Sequence, residues 1–144
     1  MIRSVSLGEE IVVTTKNKVG IMADIALLLA NEGVNIESVV GYEEDHTGKV
    51  MLVTSANIRV MDELKARGYA DVREREIILV DLENKQGALK VVTQELKDNE
   101  IDIRHLYVTS PTGPGVSSSK MVLLTDDNEA AMAVLSKYAE RSGD

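Results

Sequence analysis

The chain has 144 residues, 16 basic against 24 acidic side chains, a formal charge of −8 and 44 % hydrophobic residues. That length makes one ordinary domain or two small ones, the apolar content argues against disorder, and the acidic balance disfavours phosphate-backbone binding. The absence of Cys, Phe and Trp, with only four Tyr, excludes disulfides, thiolate catalysis and cysteine metal sites and leaves no aromatic platform for stacking bases.

Residues 1–8 read as a lead-in in which Ile2, Val5 and Leu7 form a short strand. A Val/Ile/Thr-rich strand follows at 10–15, then a loop at 16–19. A helix is predicted over 20–32, with Met22, Ile25 and Leu29 facing inward at i, i+3 and i+7. Gly33 is its expected stop. Strands at 34–43 and 49–55 flank a turn at 45–48 and make a hairpin. A second helix spans 57–67 on the apolar stripe Val60, Met61 and Leu64, ended by Gly68, and a short polar strand closes the unit at 71–75. The order then starts again: strand 77–82, loop 83–86, helix 87–99 with Leu89, Val92 and Leu96 inward, strand 101–109, the turn S-P-T-G-P-G, strand 118–125 and helix 127–139.

The two halves are copies. An offset of about 67 residues carries Asn17 onto Asn84, Lys18 onto Lys85, Gly20 onto Gly87 and Ile36 onto Ile103. After the second hairpin, which holds roughly four extra residues, the offset of about 71 carries Asn57 onto Asn128 and Leu64 onto Leu135. The expected architecture is α+β, with two tandem ferredoxin-like βαββαβ modules at 1–75 and 76–144, antiparallel sheets and helices on one face. Modules this small are expected to share an interface. The second lacks a last strand of its own, because E-R-S-G-D cannot fill a buried one. Residues 2–7 are the expected occupant of that edge, in cis or from a partner chain.

The loop before each first helix carries the candidate site. N-K-V-G and N-K-Q-G set an Asn three residues ahead of a Gly at a helix start. Unpaired N–H groups and the partial positive charge of the first turn attract a carboxylate, and Gly admits it close to the backbone. The donors would be the N–H groups around Gly20, Ile21 and Met22, and around Gly87, Ala88 and Leu89. Side-chain oxygens of Asn17 and Asn35, or of Asn84 and Asp102, would accept from an ammonium. The plainer alternative is that Asn17 and Asn84 cap helices or make turns, and a repeated turn would repeat these residues too.

Asn-x-x-Gly between a Val/Ile strand and a helix, followed about a dozen residues later by G-V-N-I or E-I-D-I, resembles the ACT domain, over nearly the whole chain and twice. The resemblance implies βαββαβ modules that bind amino acids, pair side by side and regulate metabolic enzymes or transcription, with the effector held at the module interface by this loop and strand two. It implies the ligand-binding set Asn17, Lys18, Val19, Gly20, Ile21, Met22 and Asn35, and Asn84, Gln86, Gly87, Ala88, Leu89 and Asp102. The usual motif has Pro where Val19 and Gln86 stand here, and Leu where Met22 stands. Asp102 replaces the Asn kept at Asn35 and would repel a ligand carboxylate. The first copy therefore matches better at strand two and the second at the loop. A homodimer that controls a metabolic enzyme or transcription regulator, similar in outline to the small regulatory subunits of amino-acid biosynthetic enzymes, is the implied assembly.

Other motifs carry less. His46 in a turn and His105 in a strand stand outside any metal or catalytic spacing. Glu43-Glu44-Asp45 reads as a solvated hairpin tip without the spaced ligands of a calcium loop. Gly113 to Lys120 lacks the Gly before Lys and the strand–helix setting of a phosphate loop. No cofactor, metal or catalytic constellation is expected, so the chain is not expected to be an enzyme. An acylphosphatase-like hydrolase would need an Arg near the first loop, where only Lys18 and Lys85 occur. The competing expectation is an ACT-fold interaction or oligomerisation module that has lost its ligand. No apolar run reaches the ~18 residues of a membrane span and the N-terminus has no signal-peptide core, so a cytoplasmic location is expected, without membrane or nucleic-acid partners.

Overall fold

The computed structural model describes residues 1–109 and 114–142, with side chains through residue 139. The order is β1 (Ile2–Lys16), α1 (Ile21–Asn31), β2 (Ile36–Glu44), β3 (Thr47–Thr54), α2 (Asn57–Ala66), β4 (Asp71–Glu83), α3 (Ala88–Asp98), β5 (Ile103–Thr109), β6 (Ser118–Thr125) and α4 (Asn128–Ser142). Two strands expected in pieces are continuous. The lead-in and first strand are both β1, and the segments at 71–75 and 77–82 are both β4. Of the turn S-P-T-G-P-G, positions 110 to 113 lie outside the described residues.

The contacts divide the chain into two units, Glu9–Arg75 and Glu76–Asp144 joined by Met1–Gly8. In the first, here module one, the strands lie in the order β2-β3-β1-β4. β3 runs antiparallel to both neighbours, with Ile11 opposite Leu52 and Val13 opposite Val50. Those four side chains point to one face, where α1 and α2 cover them. Ile21, Ile25, Leu28 and Leu29 of α1 and Val60 and Leu64 of α2 complete the buried cluster.

Module two repeats this through Ile78 opposite Leu123 and Val80 opposite Met121, covered by Ala88, Val92 and Leu96 of α3 and Ala131 and Leu135 of α4. Its missing strand is supplied in cis by the N-terminus, in the order β1-β4-β6-β5. The Met1 carbonyl accepts from the Glu83 amide at 2.8 Å, Ser4 Oγ donates to Asp81, and Ile2 is fully buried in the α3/α4 core with Val5 packed beside it. Residues 1–8, placed with the first module from chain order, thus belong to the second, whose vacant edge offers backbone partners and apolar cover that a free lead-in lacks.

Local devices repeat as well. Asn57 Oδ1 accepts from the Thr54 amide and hydroxyl, and its Nδ2 donates to the Glu9 carbonyl; Asn128 does the same with Thr125 and Glu76. Each Asn therefore locks a helix start to two strands. Both outer strands change register at the same place, Ile36/Ser38 and Ile103/His105, as a bulge does. α1 and α3 end in the same left-handed turn, in which the Val34 amide reaches the Leu29 carbonyl and the Ile101 amide reaches that of Leu96. The left-handed residue is Gly33 at φ 66° in one and Glu100 at φ 57° in the other.

Candidate functional site

The loop after β1 is held by the hairpin beside it. The Asn17 amide donates to the His46 carbonyl at 2.9 Å, and Asn17 Nδ2 donates to Glu43 Oε2 at 2.8 Å. The hairpin turn has Asp45 and His46 at φ 49° and 62°, the left-handed pair of a tight two-residue connection. Asn17 is not a helix cap: the N-cap residue is Gly20, left-handed, with no side-chain bond, and Gly87 matches it in α3. The α1 amides after Gly20 are therefore not closed by a capping side chain.

Met22 and Leu89 do not point into the cores. They are 40 % and 47 % exposed, while their neighbours Ile21 and Ala88 are buried. The inward phase of each helix starts one residue earlier than the i, i+3, i+7 reading, because 21-25-28-29 shares most of the same stripe. Met22 instead lies across β2, its sulfur 3.0 Å from where a Cβ at Gly41 would stand. A Cβ at Gly48 would meet Ile21 Cδ1 at 3.3 Å and Asn17 Oδ1 at 3.4 Å. The two glycines leave a cavity of about 190 Å³, bounded by Asn17, Ile21, Met22, Tyr42 and Lys49. It offers the Asn17 amide oxygen and the Met22 thioether, with the Glu43 carboxylate bonded to Asn17; Tyr42 and Lys49 pair with each other one residue out of phase with Gly41 and Val50, so their side chains stand on the opposite face of the sheet.

Asn35 is not in this group. Its backbone pairs with Ser55 through both the amide and the carbonyl, at the far end of β3 from Gly48. Seven residues of extended strand put about 24 Å between those ends. Asn17 and Asn35 of one module cannot hold the two ends of one amino acid. The same separation divides Asn84, bonded to Ser117 and Ser119, from Asp102, bonded to Asp126 and beside Arg104. Of the other loop positions, Val19 is fully exposed, Lys18 lines a different cavity, and Gln86 is exposed.

The second copy of the site carries side chains where the first has glycines. Gly41 corresponds to Val108 and Gly48 to Ser119, which is buried and donates its hydroxyl to Asn84 Oδ1 at 3.4 Å. The amide oxygen that Asn17 keeps toward its cavity is engaged in module two. Met1 Cε also lies 3.6 Å from the position of a Gly87 Cβ, and the N-terminal ammonium and Lys85 both pair with Glu83. Those two cations hold the Glu83 carboxyl below the usual range. Gly41, Tyr42, Gly48 and Lys49 were not singled out from sequence. The available signal was a Gly inside a strand pattern, which marks close approach of another group.

His46 is exposed in its turn, and His105 stacks on Tyr107 with ring centres 6.0 Å apart. Among the described residues no three His, Asp or Glu side chains gather as metal ligands, and no helix is long and apolar enough to cross a membrane.

No protein-family model matches the sequence, and no curated protein does. Solved structures do match. Protein BT0572 from Bacteroides thetaiotaomicron superposes with a TM-score of 0.83 at 19 % identity, over 93 % of this chain and 90 % of that one. The regulatory subunit of aspartate kinase from Thermus flavus gives 0.63 at 14 %, covering 99 % of each chain. Aspartokinase alpha and beta subunits give 0.63 at 16 %, over 95 % and 97 %. The likeness is one of fold. The fold shared with the aspartate kinase regulatory subunit is the α+β, ferredoxin-like one read from the sequence.

Proposed function

We propose that the protein is a non-catalytic, ACT-type regulatory protein that binds a small amino acid through module one and controls an amino-acid metabolic enzyme. One observation carries this reading: the glycine-lined cavity beside Asn17 in module one, against the Val108 and Ser119 that stand at the glycine positions of module two. A repeated turn needs no such asymmetry. A binding module and a structural copy of it do.

The cavity supplies complementary groups. The first-turn amides of α1 take the carboxylate. Asn17 Oδ1, with Glu43 behind it, takes the ammonium. Met22 flanks the side chain, and at about 190 Å³ the space suits a small one. β2 lies at the edge of module one, so Tyr42 stands next to a strand with one side unpaired. A ligand beside that strand favours whichever pairing of the edge it also touches, with a second copy or with the regulated enzyme. The aspartate kinase regulatory subunits with this fold support an enzyme of amino-acid biosynthesis as the target.

The test is calorimetry with amino acids on the intact protein and on Gly41→Val and Gly48→Ser. Each variant installs a side chain that module two carries at the same position, and circular dichroism checks that Met22 and Ile21 give way without loss of folding. Binding should weaken at least about tenfold in Gly41→Val. Undiminished affinity in both variants would remove the cavity from the reading.

A further inference from the structure

A second cavity, of about 290 Å³, lies on the other side of the first loop in module one. Thr15 at the end of β1, Lys18, Asp24 and Leu27 on α1, and Arg67 and Tyr69 after α2 bound it. Its position follows from how α2 ends. Gly68, at φ 98°, turns the chain so that the Tyr69 amide reaches the Leu64 carbonyl, and this sets Arg67 and Tyr69 against α1. Tyr69 packs on the core, and burial together with the Asp24 charge raises its hydroxyl pKa above the ordinary phenol value. It is a neutral donor at physiological pH.

In a chain of net charge −8, this cavity has two cations and one anion. Among the described residues neither Lys18 nor Arg67 has an ion-pair partner, so both are open to a ligand's carboxylates. Leu27, 61 % exposed, gives the wall an apolar strip. Two free cations, one carboxylate, a phenol donor and a short apolar strip match a ligand with two carboxylates, one ammonium and a few methylenes.

We propose that this cavity binds an acidic α-amino acid, with its carboxylates on Lys18 and Arg67 and its ammonium on Asp24. Arg67 presents a planar fork suited to bidentate carboxylate binding. The net charge of +1 on the lining complements the net −1 of such a ligand. The volume is near the lower end of small-molecule sites, as an amino acid requires. This site shares no residue with the Asn17 cavity and does not depend on it.

The experiment is calorimetry of the full chain with L-glutamate and L-aspartate, and with glutarate and succinate, which lack the ammonium. At least one acidic amino acid should bind with Kd below about 1 mM. Lys18→Gln, Arg67→Gln and Asp24→Asn should each weaken it at least about tenfold, and Gly41→Val should leave it unchanged. These side chains are exposed, so folding is not at risk, and circular dichroism checks it. Three results overturn the proposal: no binding by either amino acid at several times that concentration, affinity unaffected by Arg67→Gln, or the dicarboxylates binding as tightly as the amino acids. Binding lost in Gly41→Val but kept in Arg67→Gln would assign the ligand to the Asn17 cavity and overturn this one alone.

Discussion

Replacing Ile2 by Ala tests whether the N-terminus completes module two. Ile2 is 1 % exposed and sits in the cluster with Ile78, Val80, Leu96 and Leu135. The change removes three buried carbons, a transfer loss of about 2.4 kcal/mol at ~0.8 per methylene, and leaves a cavity whose lining loses contacts. About 3 kcal/mol of destabilisation is expected. With a urea m-value of about 2 kcal/mol/M, the unfolding midpoint of the affected transition should fall by roughly 1.5 M. Leu7→Ala is the control: Leu7 is 52 % exposed on the same segment and should change stability by no more than about 0.5 kcal/mol. Urea titration followed by circular dichroism, with amide exchange to locate the loss, reads both. Exchange should accelerate in α3, β5 and β6 rather than in α1 and β2. A loss at Ile2 as small as that at Leu7 would refute the assignment of the segment to the second core.

Three further outcomes are expected. Asn57→Ala and Asn128→Ala each remove three hydrogen bonds that tie a helix start to two strands, and each should cost about 2 kcal/mol by denaturant unfolding; near-neutral changes would show that the lock is not used. Glu100→Gly should stabilise by about 1 kcal/mol and Gly33→Ala destabilise by a similar amount, since both positions are left-handed; thermal melts showing the opposite signs would contradict the conformation. Glu9 has its carboxyl pKa raised, first by a hydrogen bond to Glu74 and then by that residue's charge. The folded state thus favours the protonated form, and this contribution is present below the ordinary Glu range and lost as pH rises through the raised value. Glu74→Gln should return Glu9 toward an ordinary value in an NMR titration, and an unmoved titration would refute the pairing.

The repeat made the fold legible. Strand and helix periodicities, the Asn-x-x-Gly loops at an offset of 67 and the Thr-x-x-Asn positions at an offset of 71 recur, so the module plan and most element positions follow from the residues. The destination of residues 1–8 was only partly legible. Ile2, Val5 and Leu7 announce a strand, but its partner lies about eighty residues away, and only the vacancy after α4 points to it. The phase of α1 and α3 was misread at Met22 and Leu89 because two adjacent stripes share Ile25 and Leu29, or Val92 and Leu96. The pairing of Asn17 with Asn35 failed because distance along an extended strand does not show in a motif. The inequality of the two sites is written in the sequence as Gly41 against Val108 and Gly48 against Ser119. It acquires meaning only when the register puts those positions beside the Asn-bearing loop.

The central claim is that module one binds an amino acid. The most direct measurement is a thermal-shift panel of the twenty amino acids on the intact protein and on Asn17→Ala, with hits quantified by calorimetry. Ligand at a hundredfold excess over Kd stabilises a folded protein by about 2.7 kcal/mol. The account predicts a stabilising amino acid whose effect is lost in Asn17→Ala and kept in Asn84→Ala. No shift with any amino acid at millimolar concentration would contradict it and leave a ligand-free interaction module as the function.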